Sequence, residues 1–301
     1  MTESTGALRR KIEGARELQS VVRTMKAVAA SSIGQYQQSV AALHEYFQTI
    51  ELGLSACFQK GKSFLSDGEL NAYRRPLVGA VVFGSDQGLV GQFNESIADF
   101  ALESLQGATG QTSIWAVGER VHTRLTDTGQ AMLGLFDVPN SVQSITPLVG
   151  QILVATEARH QRGELTELHL FYNRPTSEAA FAPVRQKLIP LDETWHHNLA
   201  SRSWPTKAVP EVWKNQTTIL QALIREYLFV SLFRACADSL ASENASRLAA
   251  MQRADKSINE LLEELSGTFY RRRQGNIDEE LFDVISGFEA LGPLNTEAQS
   301  R

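Results

Sequence analysis

The chain has 301 residues, of which 43% are hydrophobic, and a formal net charge of −5. This composition can bury a core and excludes a disordered chain, while the negative charge disfavours a general nucleic-acid-binding protein. The sequence contains no apolar run near the roughly 18 residues of a transmembrane helix. We therefore expect a cytoplasmic protein whose association with any membrane is indirect, through a partner.

The distribution of proline divides the chain into three parts. None of the nine prolines falls within the first 75 residues or between residues 211 and 292. A proline inside a helix costs about 3 kcal/mol, because it removes a backbone donor and clashes with the preceding turn. We predict helical segments at 1–72 and 211–301 that bracket a middle domain at 73–210.

The N-terminal helix is predicted over residues 4–58. Its apolar or small side chains recur in alternating steps of three and four residues, which is the seam of a coiled coil. The first 30 residues carry six Lys or Arg against three Glu. This positive end suggests an acidic partner surface, and the alternative is ordinary solvated charge on a coiled coil.

The middle segment alternates between strand-like and helix-like runs. Strands are predicted at 77–84, 113–117, 165–172 and 181–191, and helices at 94–106, 119–128 and 147–160, with Asn94 as a helix N-cap. This order predicts a small α/β, Rossmann-like domain with a mostly parallel sheet.

The C-terminal helix is predicted over residues 211–291, with the same seam spacing. Each long helix has an apolar stripe that must be covered, and an inserted domain returns the chain in the opposite direction. We therefore predict an α+α/β fold: a long antiparallel coiled coil of the N- and C-terminal helices with the α/β domain inserted. The C-terminal helix is the longer one, so part of it should project beyond the pair and require a foreign partner.

A glycine-containing motif, GSDQGLVGQFN at residues 84–94, follows a predicted strand and opens a helix. Phosphate-binding loops occupy such positions, but this one lacks both the Lys-Ser/Thr of a P-loop and the G-x-G-x-x-G spacing. We interpret it as a tight turn with Asp86, Gly88, Gly91 and Asn94 as structural residues. Two other functions stay open: a nucleotide-binding α/β enzyme with a coiled-coil arm, and a free-standing coiled-coil adaptor.

Ordered blocks along the whole chain resemble the γ subunit of F-type ATP synthases. The sequence TMKAVAAS at 24–31 is similar to the family's T-x-A-M-K-M-V-A-A-S, and SDQGLVGQFN at 85–94 to its S-D-R-G-L-C-G-x-F-N. The segments 239–248, 273–274 and 285–287 match the family's C-terminal helix in order. Departures such as Gln87, Val90 and Asn244 suggest a divergent branch, such as the sodium-linked complexes.

The resemblance implies a non-catalytic rotor without a cofactor or metal site. The helix pair would turn inside a ring of three α and three β subunits, and the α/β domain would sit on the membrane c-ring beside ε, at the cytoplasmic face of a bacterial inner membrane. It implies contacts with the α and β subunits through six residues: Met25, Lys26, Arg247, Arg273, Gln274 and Phe288. Met25 is equally consistent with seam packing, and the polar tail at 294–301 is expected to emerge exposed.

Overall fold

The computed structural model describes residues 4–60, 77–106, 111–176, 180–191 and 216–291, together with 195, 197, 199, 201, 204 and 206. The helices are α1 (Thr5–Lys60), α2 (Phe93–Gln106), α3 (Glu119–Asp127), α4 (Ile145–Gln161) and α5 (Gln216–Leu291). The strands are β1 (Leu77–Phe83), β2 (Gln111–Val117), β3 (Met132–Phe136), β4 (Glu167–Arg174) and β5 (Ala182–Ile189).

The chain divides into two compact units, one of Val28–Ala250 and the other of Met1–Ala27 with Met251–Arg301. The predicted domain boundaries at 72/73 and 210/211 and the predicted tail lie outside the described residues, as do residues 211–215 of the predicted last helix. Among the helices that are described, none combines the length and the apolar character needed to cross a bilayer.

The larger unit contains one five-stranded sheet in the order β3-β2-β1-β4-β5. Its strands are parallel except for β5, which pairs antiparallel with β4, so the predicted mostly parallel sheet is confirmed. Strand β3 was not predicted. It has only five residues with Gly134 at its centre, and so short an apolar run without alternation carries little strand signal.

Alternate residues of each strand point to opposite faces of the sheet and build two separate cores. One face packs against α2 and α3, and its buried strand residues are Val78, Ala80, Val82, Ile114, Ala116 and Phe171. The other face packs against α4 and the 232–241 stretch of α5, and its buried strand residues include Val81, Phe83, Trp115, Val117, Leu168, Leu170 and Tyr172. The second layer of the α/β domain is thus completed by the C-terminal helix.

Helices α1 and α5 pair antiparallel in each unit, as the sequence predicts. In the larger unit, the Tyr46 hydroxyl donates to Glu226 Oε2 at 2.9 Å, and a Cβ at Gly53 would contact the Leu223 side chain. In the smaller unit, Gln19 donates to Asn259. Lys26, which is later than Gln19 in α1, donates to Asp255, which is earlier than Asn259 in α5. In both units, later residues of α1 meet earlier residues of α5.

Asp255 is the centre of a charged cluster in the smaller unit. Its Oδ2 accepts from Lys26 Nζ at 3.0 Å, and its Oδ1 lies 3.4 Å from Arg23 Nε and 3.5 Å from Gln19 Nε2. The hydrogen bond from Lys26, followed by the positive charges of Lys26 and Arg23, lowers the pKa of the Asp255 carboxyl below its usual range. The ionised carboxylate therefore ties α1 to α5.

Replacing Asp255 by Asn should weaken this helix pairing in a pH-dependent way. A carboxyl whose pKa is lowered by folding contributes stability above its unfolded pKa and loses it as the pH falls through the folded pKa. The thermal unfolding temperature of D255N should therefore lie below that of the wild type at pH 7, and the difference should begin to shrink only as the pH falls below about 4. Circular dichroism melts of the full chain measure this. D278N, which alters an exposed Asp of α5, is the control, and a pH-independent difference would contradict the prediction.

Gly84 follows β1 at a point of close packing. A Cβ there would lie 2.4 Å from Val121 Cβ and 2.7 Å from Asn94 Oδ1. We predict that Gly84→Ala destabilises the chain by about 1–3 kcal/mol, because this crowding must be relieved by shifting α3 or the loop. Gly150 of α4 is the matched control: nothing lies within 4 Å of its added Cβ, and Gly150→Ala should be neutral or stabilising by up to about 1 kcal/mol. Thermal denaturation that shows equal effects of the two changes would refute the steric reason.

Candidate functional site

The glycine loop at residues 84–92 is pinned to two neighbouring segments by Asp86. One carboxylate oxygen of Asp86 accepts from the backbone N–H of Glu119 at 2.9 Å, at the start of α3. The other accepts from the backbone N–H of Val138 at 3.0 Å, just after β3. Both oxygens of Asp86 are thus engaged inside the chain, and the side chain serves to hold the loop.

Asn94 joins the two ends of the glycine loop. Its Oδ1 accepts from the Ser85 backbone N–H at 2.9 Å, and its Nδ2 donates to Ser85 Oγ at 2.8 Å. The prediction that Asn94 caps α2 is wrong, because Asn94 is already the second residue of the helix and its side chain reaches back to the end of β1. The amide group that would cap the helix instead closes the loop.

Two residues of this loop have a left-handed backbone, as a tight turn requires. They are Leu89 with φ 64° and Gly91 with φ 60°. Of the two loop glycines singled out from the sequence, Gly91 has a left-handed angle, whereas at Gly88 the neighbouring Leu89 has it instead. Leu89 is mostly exposed, and Val90 lies buried between the two left-handed residues.

The carboxyl ends of β1 and β4 form the crevice in which open α/β sheets hold their ligands, because the chain reverses its direction of travel across the sheet at this point. Here α5 fills that crevice. Ser242 Oγ donates to the backbone carbonyl of Asn173 at 3.0 Å, and Ser246 Oγ donates to the backbone carbonyl of Val90. Asn173 in turn donates from Nδ2 to the Phe93 carbonyl at 3.2 Å.

Charged residues of α5 flank these serines. Glu243 and Arg247 form an ion pair at 2.7 Å, with only 7% and 13% of their side chains exposed. Burial raises the pKa of the Glu243 carboxyl, Arg247 opposes that rise, and Asp86 adds to it. Asp238, one turn earlier, faces Arg174 of β4 at 3.5 Å. The crevice is thus occupied by the chain's own polar groups, which disfavours the nucleotide-binding enzyme.

The predicted partner-contact residues lie in two settings. Arg247 lies in the larger unit, where its side chain pairs with Glu243. In the smaller unit, Met25 and Lys26 are half-buried, and Lys26 is engaged by Asp255, whereas Arg273, Gln274 and Phe288 are exposed. The side chains of residues 271–289 are all exposed.

Sequence reasoning missed Ser242, Ser246, Asn173 and Asp255. A weak signal existed for the two serines, which stand four residues apart and therefore share one face of α5. No local pattern marks Asn173 or Asp255, because their partners lie far away in the sequence.

Comparisons with known proteins identify the family. A family model described as ATP synthase matches residues 4–291. The gamma chain of ATP synthase from Granulibacter bethesdensis is 30% identical, with 96% of this chain and 99% of that protein covered. The gamma chain from Glaesserella parasuis is 28% identical, with 94% and 98% covered.

Solved structures show the same fold. One is a chain of the Euglena gracilis mitochondrial ATP synthase, in a structure described as OSCP/F1/c-ring, with a TM-score of 0.60, 19% identity and 98% of both chains covered. Another comes from the central stalk and c-ring of the Tetrahymena thermophila enzyme, with a TM-score of 0.53, 20% identity, and 78% of this chain and 99% of that one covered. With the family match over nearly the whole length, these findings show that the chain belongs to the ATP synthase gamma-chain family, whose members are non-catalytic subunits of the central stalk.

Proposed function

We propose that the exposed end of α5, residues 271–289, is the surface on which this rotor subunit turns inside a ring of α and β subunits. The observation that carries the proposal is the exposure of large apolar side chains there. They are Ile277, Leu281, Phe282, Val284, Ile285 and Phe288, and Phe288 is 81% exposed. Because an apolar stripe on a helix is normally covered, a surface of this kind indicates a partner.

The polar residues of the same stretch supply directional contacts. Arg273 and Gln274 are exposed, and their side chains offer several N–H donors to a partner's carboxylates and carbonyls. A hydrogen bond to a charged group contributes about 1.5–3 kcal/mol. Met25, Lys26 and Arg247 contribute less to the contact, because Met25 is half-buried and the other two pair with Asp255 and Glu243.

The remaining partners follow from family membership. We assign the α/β domain to the c-ring and the ε subunit, and the whole chain to the cytoplasmic face of a bacterial membrane, to which it is attached indirectly. Support comes from the bacterial origin of the gamma chains it matches and from neighbours solved in F1 and c-ring assemblies.

Rotation couples the partners because the rotor is asymmetric. Each β subunit meets a different face of α5, so the same chemical site is held in a different conformation around the ring. A contact made in only one of these conformations stabilises that conformation. The affinity of the site for its ligand then changes by the difference in free energy that the contact contributes to the two conformations. The gamma chain thus transmits conformational change and carries out no bond-making step itself.

Replacing Arg273 or Gln274 by Ala should slow ATP hydrolysis by the assembled complex while assembly stays intact. Loss of one charge-assisted hydrogen bond in a desolvated contact, about 1.5–3 kcal/mol, corresponds to roughly tenfold or more in turnover. Steady-state hydrolysis rates and gel filtration of the complex measure the two effects separately. Arg253→Ala is the control, since Arg253 is an exposed arginine of α5 outside residues 271–289. Wild-type turnover in both variants would remove these residues from the proposed contact.

A further inference from the structure

The two crevice serines join α5 to both sides of the sheet's reversal point. Ser246 Oγ donates to the carbonyl of Val90 in the glycine loop after β1, and Ser242 Oγ donates to the carbonyl of Asn173 near the end of β4. Both serines are buried. We call these two hydrogen bonds the crevice clamp.

We propose that the crevice clamp transmits torque between α5 and the α/β domain. The inference rests on the proposed rotor function and deepens it by assigning positioning residues to the step that passes rotation along the chain. Ser242 and Ser246 are positioning residues, because they act on the partner subunits only through the orientation of the domain that they hold.

Directional bonds matter here because much of this contact is apolar, and the crevice clamp adds to the Asp238–Arg174 ion pair that joins α5 to β4. Residues 232–241 of α5 pack on the sheet with Leu232, Phe233, Ala237 and similar side chains. Apolar burial is non-directional and roughly proportional to area, so it resists separation better than it resists rotation of a helix about its own axis. A hydrogen bond weakens steeply when its angle falls, and such a rotation would therefore break the crevice clamp.

The acceptors of the crevice clamp are themselves anchored. Val90 lies between the left-handed residues Leu89 and Gly91, in the loop that Asp86 ties to α3 and to the segment after β3. Asn173 belongs to β4 and bonds the Phe93 carbonyl. A force applied at Ser246 or Ser242 thus reaches the strands and helices of the domain rather than a loose loop.

The two bonds are unequal. The single hydroxyl hydrogen of Ser242 is shared between the Asn173 carbonyl at 3.0 Å and the Asp238 carbonyl of its own helix at 2.8 Å. Ser246 has the Val90 carbonyl as its acceptor. We therefore expect Ser246 to contribute more to the crevice clamp than Ser242.

The test compares Ser246→Ala, Ser242→Ala and the double variant with Ser239→Ala in the assembled membrane complex. Ser239 is the matched control, because it is a buried serine of the same helix whose Oγ has no hydrogen-bond partner among the described residues. Two quantities are measured: the rate of ATP hydrolysis, and the number of ions pumped per ATP against an increasing opposing gradient.

Ser239→Ala should match the wild type at every gradient. Losing one hydrogen bond raises the population of a detached state by about two- to tenfold, so Ser246→Ala should hydrolyse ATP normally but pump fewer ions per ATP as the gradient rises. At the highest gradient, the number of ions pumped per ATP should fall by about half or more in the double variant. Of the three variants of the crevice clamp, Ser242→Ala should show the smallest fall.

Two results would contradict the proposal. One is a wild-type number of ions pumped per ATP in the double variant at all gradients. The other is a fall in hydrolysis and pumping in equal proportion, because that indicates a loss of stability or assembly instead. Failure of the proposed function looks different. In that case the wild-type chain itself would not assemble with α and β subunits or would not support pumping, whatever the variants do.

Discussion

The need to cover the apolar side of α5 is the constraint on which the rest of the structure depends. This helix has 76 residues, and its apolar side chains are covered by different means along its length. Residues 232–241 pack on the sheet, Tyr227 stacks on Phe47 of α1, and residues 271–289 are uncovered. One helix therefore completes the core of a domain, pairs with a second helix and leaves its residues 271–289 exposed.

The α/β domain has the sheet order of a ligand-binding architecture, but the chain's own groups occupy its crevice. The sheet order places a crevice between the ends of β1 and β4, where a nucleotide would lie in a related fold. Here the loop that could have held a phosphate is closed by Asn94 and Asp86, and its Val90 carbonyl accepts from Ser246. The crevice has become the attachment point of the domain to α5.

The polar character of this attachment has a thermodynamic cost. Glu243 and Asp238 are buried, and burial raises the pKa of both carboxyls. Arg247, Arg174 and Arg234 offset part of that cost by pairing with them. A well-packed apolar contact of the same size is often as stable or more so. What the polar groups add is orientation, since charged and hydrogen-bonded pairs hold only in particular geometries.

The sequence by itself determined the long helices, most of the strands and the family. Proline-free segments with three- and four-residue spacing are local signals, and so are the runs that form β1 and β4 and the motif blocks, because neighbouring residues set backbone preference and periodicity. Only the tertiary structure decided what those elements touch. Lys26 meets Asp255 across 229 residues and Ser246 meets Val90 across 156. Strand β3 pairs with β2, although helix α3 separates the two in the chain, and Asn94 closes a loop instead of capping a helix because Ser85 lies beside it. Such contacts depend on the packing of distant segments, and no local pattern encodes them.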